Sequence, residues 1–288
     1  MDDFFSVSMA LGLIAAFAWG VHDFCVRFIT QKLEILPTLF IVLATGLVVT
    51  TLIATFTVNW ATLTLYGAVL AVASGPFFFL ACFALYKAFS IGPVRLVAPL
   101  IASYPIIFVA GSHVVGIKAS LAEWIAVGTI LVGISIVAMS PNEEISKTNR
   151  NIAATSAILA GLFFAIAFSI GQRAAILGPE MATLVITRAT AVLCALVAVL
   201  LAGQQIRPIL GSSKSSALLI LMGTLDALAI GTVIWSSRHL NPEYAVVASS
   251  IFGLITIVLA RIFLKEKMSI KQWFGVLIVF GGIGYLGF

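Results

Sequence analysis

Ten apolar stretches, each long enough to cross a bilayer, follow one another along this 288-residue chain. A helix needs about 20 such residues to span the hydrocarbon core. By that measure the spans run over residues 6–30, 35–57, 64–90, 92–115, 119–140, 152–177, 180–203, 215–238, 241–264 and 270–287. Composition points the same way: 61% of residues are hydrophobic and 9% charged, against roughly a quarter charged in a soluble domain. No globular core absorbs that excess. Within lipid each backbone polar group must be satisfied inside its own segment, so spans of this length are helices. The expected fold class is an all-α membrane protein with ten transmembrane helices. Connections are short, and the longest polar one, SPNEEISKTNRN at 140–151, divides the chain near its middle. A chain made almost wholly of spans works inside the membrane or across it.

The net charge of +5 comes from Lys and Arg scattered singly between apolar segments. They read as topology determinants and not as a nucleic-acid footprint. Loops after spans 1, 3, 5, 7 and 9 hold twelve of them, and the opposite set holds Lys118, Arg173 and Arg238. The positive-inside rule then puts both termini outside. The N-terminus, MDDFFSVS, is acidic and runs directly into the first span, with neither a cleavable signal nor a transit peptide expected. This fits a multi-pass protein of a bacterial cell (inner) membrane. Cys25, Cys82 and Cys194 lie far apart in apolar sequence and read as small buried hydrophobes. No HExxH, GxSxG, Walker A or clustered metal-ligand pattern occurs. The chain is therefore expected to have no catalytic residues, no metal and no cofactor, and no ATP-driven pump is read from it.

The two halves resemble each other. Shifted by 149 positions, Pro93 falls on Pro242, Val97 on Val246, Ser120 on Ser269, Trp124 on Trp273 and Gly133 on Gly282, without a gap over about 45 residues. A shift of 145 pairs Trp19 with Phe164, Thr38 with Thr183 and Thr45 with Thr190. The division is a first five-helix repeat at 1–140, a connecting loop at 141–151 and a second repeat at 152–288. Five spans is an odd number, so the second repeat must enter the bilayer upside down. Inverted repeats are a recurrent plan of secondary transporters, with the substrate at the repeat interface. The other reading is a duplicated membrane scaffold.

Charges in the bilayer core cost roughly 2.5–3.5 kcal/mol each on insertion scales, so the polar residues inside spans point to sites. Trp19, Asp23 and Arg27 are spaced by four in FAWGVHDFCVRF, with His22 adjoining, and share one helical face. Structurally, Asp23 and Arg27 would form an i,i+4 pair with Arg27 snorkelling to the headgroups. Functionally, His22 and Asp23 would bind substrate and exchange protons, since His titrates near neutrality. Asp226 lies mid-span in GTLDALAIG with nothing nearby in sequence to neutralise it. Arg188 is its candidate partner across the bundle. Either the two form a fixed helix-to-helix pair, or Asp226 is a coupling acid and Arg188 a substrate-carboxylate contact, a task that suits guanidinium geometry. Tyr86 and Trp235 correspond under the 149 shift. With Tyr104 they are either interfacial belt residues or substrate contacts. Pro76, Pro99 and Pro105 are candidate hinges. Gly128, Gly133, Gly275, Gly281 and Gly282 permit close helix packing, within one chain or between the two copies of a homodimer.

Several of these segments resemble a known family. LKEKMSIKQWFGVLIVFGGI, residues 264–283, is similar to the end of an EamA-type repeat. FAWG resembles the Trp-Gly of that family's first helix, Arg188 in ITRATAVL an Arg of the second helix of a repeat, and Pro105 in ASYPIIFVAG a Pro of the fourth. Together they resemble the drug/metabolite transporter superfamily, EamA-like type. Departures are Ile117 opposite Glu266, Leu43 opposite Arg188 and Leu254 opposite Pro105. The resemblance also implies cytoplasmic termini, against the charge count. It implies a basket of spans 1–4 and 6–9 around a central cavity, braced by spans 5 and 10, and export of small metabolites such as amino acids. The leading expectation is a proton-coupled secondary exporter of small polar metabolites, monomeric or homodimeric, with the bilayer and a small solute as partners. The alternatives are efflux of lipophilic cationic drugs and a non-transport scaffold or sensor.

Overall fold

A computed structural model describes residues 7–103, 106, 120–139, 146–206, 213–236, 245 and 248–286. Among the described residues there is no strand, and ten α-helices appear. They are α1 (Val7–Ile29), α2 (Ile35–Thr57), α3 (Leu65–Ile91), α4 (Val94–Ala102), α5 (Leu121–Met139), α6 (Lys147–Ile176), α7 (Glu180–Leu201), α8 (Ser213–Ser236), α9 (Phe252–Phe263) and α10 (Ile270–Leu286). Each falls within or across one predicted span. The spans at 92–115 and 241–264 lie partly outside the described residues. Six helices, α1, α2, α3, α6, α7 and α8, are long and apolar enough to cross a membrane.

The polar residues between spans set the helix ends. Thr64 Oγ1 accepts the Gly67 N–H at 3.1 Å to start α3, and Ser146 Oγ accepts the Asn149 N–H at 3.2 Å to start α6. That cap begins α6 five residues ahead of its apolar stretch, so its first turn is polar. At α10 the Ser269 N–H donates to Gln272 Oε1 at 2.9 Å, and the Gln272 N–H donates back to Ser269 Oγ at 3.2 Å. This is a capping box, two orphan donors satisfied reciprocally.

The helices pack in a pattern that survives exchange of each helix for the one five places along. α3 packs on α6 as α1 packs on α8; α3 on α7 as α8 on α2; α6 on α4 as α1 on α9. α2 meets α7, α4 meets α9 and α5 meets α10. α4 sits innermost, with every residue from Val94 to Ala102 buried.

The α5–α10 seam shows the direction of travel. A Cβ on Gly133 would stand 2.7 Å from the Gly275 carbonyl oxygen, and one on Gly282 would stand 3.2 Å from that of Ala126. As residue numbers rise on α5 they fall on α10, so the two helices run antiparallel. Here the glycines have a defined purpose: they bring backbone against backbone. Gly133→Leu is expected to lower stability by about 1–3 kcal/mol through overpacking, read as a lower melting temperature of the purified protein. Gly128, with nothing within 4 Å of a Cβ placed on it, should accept the same change with little loss.

Candidate functional site

α1 carries two ionisable residues buried side by side, His22 and Asp23. His22 and Asp23 are 6% and 3% exposed, although α1 is a membrane-length helix. Their face, with Trp19 one turn earlier, opens on a cavity of about 60 Å³. Leu39, Val42 and Leu43 of α2 close it on one side, and Phe78, Cys82, Leu85 and Tyr86 of α3 on another. Phe164 and Phe168 of α6, Asp226 and Ile230 of α8, Ile101 of α4 and Phe252 of α9 complete the wall. Both halves of the chain contribute.

Asp226 is neutralised across the bundle. Arg188 Nη2, on α7, donates to Asp226 Oδ2 at 2.8 Å, and Trp19 Nε1 donates to Asp226 Oδ1 at 3.2 Å. Arg188 is completely buried. Its guanidinium carbon lies 5.7 Å from the centre of the Phe78 ring, whose face accepts the cation. Gly46 on α2 leaves the space it occupies, since a side chain there would collide with Nη1. A buried ion pair is tolerated when its geometry is good and its remaining lone pairs are filled. Both carboxylate oxygens of Asp226 are filled, while Arg188 Nε and Nη1 are buried without a hydrogen-bond partner.

His22 Nδ1 lies 2.9 Å from Asp23 Oδ1, which corrects one structural expectation. Asp23 does not form the i,i+4 pair with Arg27. Arg27 extends away from the cavity: its Nη1 donates to the Phe89 carbonyl at 2.7 Å, and its Nε stands 3.5 Å from Glu266 Oε1. The carbonyl at the end of α3 and the carboxylate beyond α9 are better placed for it than Asp23, which the His22 ring has already engaged.

The structure thus brings Trp19, His22, Asp23, Tyr86 and Asp226 onto one wall, with Arg188 behind it. Tyr86 is 1% exposed and its ring centre lies 6.3 Å from that of His22. Trp235 does not join them: it is 55% exposed, near the end of α8. Pro76 lies inside α3 and Pro99 inside α4, and each helix continues through its proline. Tyr104 and Pro105 lie outside the described residues. Among the described residues no group of three His, Cys, Asp or Glu is placed to hold a metal ion.

Two features escaped the sequence reading. One is the aromatic lining, where Phe164 stacks on Phe168 at 5.6 Å and meets Phe78 edge-on at 6.1 Å. Phenylalanines in apolar segments carry no signal of their own, although the pairing of Trp19 with Phe164 under the 145 shift was a hint. The other is Glu266. Its two oxygens accept the Val94 N–H, at 2.9 and 3.2 Å, at the start of α4. A left-handed turn at Lys265 (φ 56°) carries it there. Arg95 Nη1 adds a bond to the Lys267 carbonyl at 2.6 Å. Glu266 therefore ties the ends of α1, α4 and α9 together.

A ten-helix bundle with a largely apolar cavity lined from both halves has a match in known sequences. Residues 151–288 belong to the EamA-like transporter family. The resemblance read from the motifs is borne out over this half, consistent with the drug/metabolite transporter superfamily. The match over this half, with six membrane-length helices, supports a multi-pass membrane protein, and the family matched is one of transporters. A solved structure titled "Crystal structure of protein" is similar in fold at TM-score 0.59 and 12% identity, over 96% of this chain and 95% of that one. None of the curated proteins matches the chain.

Proposed function

We propose that this EamA-like chain is a secondary transporter that exports small polar metabolites across the cell membrane. Its halves, 1–140 and 152–288, joined by 141–151, alternate access to the cavity between them. The observation that carries this reading is the buried His22–Asp23 pair on the wall of a cavity lined from both halves. Ionisable side chains at membrane depth are expensive and mark solute or proton paths. His22 and Asp23 exchange the coupling proton, and Asp226 is the charge against which Arg188 is held. Trp19 and Tyr86 position the solute. The single chain supplies this whole wall, so a monomer suffices for the site.

The substrate class narrows on two counts. An amino acid needs a cation for its carboxylate, and the guanidinium assigned to that role is held by Asp226 through Nη2 and lies outside the cavity wall. Bulky lipophilic drugs need more room than about 60 Å³, since drug-sized pockets run to roughly 300–1,000 Å³. Small metabolites with one polar end and an apolar body fit better.

The test is efflux of labelled solutes from a broad metabolite panel out of proteoliposomes, with and without an imposed pH gradient. Gradient-stimulated efflux is expected. In His22→Ala the stimulation should vanish while exchange at uniform pH persists. If no solute moves, the transport reading is wrong. Stimulation that survives both His22→Ala and Asp23→Asn would remove the coupling assignment alone.

A further inference from the structure

Asp23 Oδ2 and the Tyr86 hydroxyl are both buried without a hydrogen-bond partner, and both side chains line the cavity. A buried carboxylate oxygen left empty is costly, and a native structure rarely leaves one without a reason. The other candidates for filling it are committed or stand outside the wall. His22 is bonded to the second Asp23 oxygen. Arg188 gives Nη2 to Asp226; its Nε and Nη1 have no partner, but the residue packs on the Phe78 ring and is not part of the cavity wall. Among the described residues the wall therefore offers two carboxylates, one imidazole and no guanidinium or ammonium.

We infer that the solute is a small amine without a carboxylate, whose ammonium N–H groups donate to Asp23 Oδ2 and the Tyr86 hydroxyl. A charged donor makes the stronger bond to a carboxylate oxygen. An ammonium carries three donors and no acceptor, so it can serve both empty atoms at once. The rings of Trp19, Phe78, Phe164, Phe168 and Phe252 present π faces to a cation and apolar surface to its carbon body. A carboxylate on the same molecule would meet the charges of Asp23 and Asp226, and the two unpartnered guanidinium nitrogens of Arg188, Nε and Nη1, belong to a residue outside the wall it would touch. This deepens the transport reading by naming the class of solute, and it rests on that reading only for the solute's passage; binding itself is independent of it.

The experiment uses three probes with one carbon skeleton: 3-methylbutylamine, leucine and 3-methylbutan-1-ol. Binding to the purified full chain in detergent is measured by isothermal titration calorimetry. The amine is expected to bind at least about tenfold more tightly than either of the others, the factor a charged hydrogen bond commands. Asp23→Asn should remove that preference, Tyr86→Phe should weaken the amine about threefold or more, and Asp23→Glu should keep the amine first. Should Asp23→Asn fail to purify as a single species, Tyr86→Phe and Asp23→Glu decide. The inference falls if leucine binds as well as the amine, if the amine binds Asp23→Asn at full strength, or if no probe binds. If efflux of another solute is seen while no amine binds, transport stands and the amine assignment falls. If the amine binds and nothing is transported, the reverse holds.

Discussion

Arg188→Ala is expected to cost about 3–5 kcal/mol of stability, the range for removing one partner of a buried ion pair. The loss comes less from the missing attraction than from Asp226, which is left ionised and 9% exposed inside the bundle. Thermal denaturation of the purified protein measures it. The paired replacement, Arg188→Met with Asp226→Leu, removes both charges and keeps apolar volume, and it should recover most of the loss. Recovery stops short by about 1 kcal/mol, because the Trp19 indole N–H then loses its acceptor. If the double variant is no more stable than Arg188→Ala, the pair does not hold α7 to α8 in the way described. Asp226 itself lies on the cavity wall, so stability and not ligand binding is the readout for this pair.

Glu266→Ala is the second large effect, and it acts on shape more than on stability. Glu266 accepts the first N–H of α4 and faces Arg27, which in turn holds the last turn of α3 through the Phe89 carbonyl. Glu266, just beyond α9, thus links the ends of α1, α3 and α4 at this end of the bundle. Hydrogen bonds to charged groups are worth about 1.5–3 kcal/mol. Losing them from the closed form alone should multiply the open fraction by about tenfold or more. Cys82 reports the change, since it lines the cavity. With Cys25 and Cys194 replaced by Ser, an impermeant maleimide should label Cys82 faster in Glu266→Ala. Sealed vesicles of the two opposite orientations should differ, with the increase confined to one of them. An equal increase in both, or none, would show that Glu266 does not close an end.

Much of this architecture was legible because lipid imposes a simple rule. The span predicted at 35–57 is α2 (Ile35–Thr57), and α3 (Leu65–Ile91) lies one residue from its predicted 64–90 at each end. α6 shows where the rule stops: hydropathy marks where lipid begins, whereas Ser146 marks where the helix begins. The Arg188–Asp226 pair was legible by necessity, because a mid-span carboxylate requires a partner and few cations were available. The third member, Trp19, was not, because an indole N–H is satisfied by many acceptors and its 207-residue separation leaves no local trace. Spacing of four made Arg27 the evident partner for Asp23. Spacing places side chains on one face but does not rank competitors from other helices, and Glu266 with the Phe89 carbonyl outcompeted Asp23. Glu266 had stood out only as a mismatch with Ile117 between the halves. Its bond to Val94 spans 172 residues and ends on a backbone atom, which no side-chain pattern reveals.

The contact between α5 and α10 has a mechanical consequence. Where Gly133 and Gly275 bring two backbones together, only the flanking Ile136, Val137 and Val279 side chains stand between the helices. The helices cannot slide there without a collision of main chains, so the seam behaves as a fulcrum. Under the proposed alternating access, the two halves are expected to rock about it. Spin labels placed across the seam should hold one separation in every state, while labels on α1 and α8 across the cavity should not.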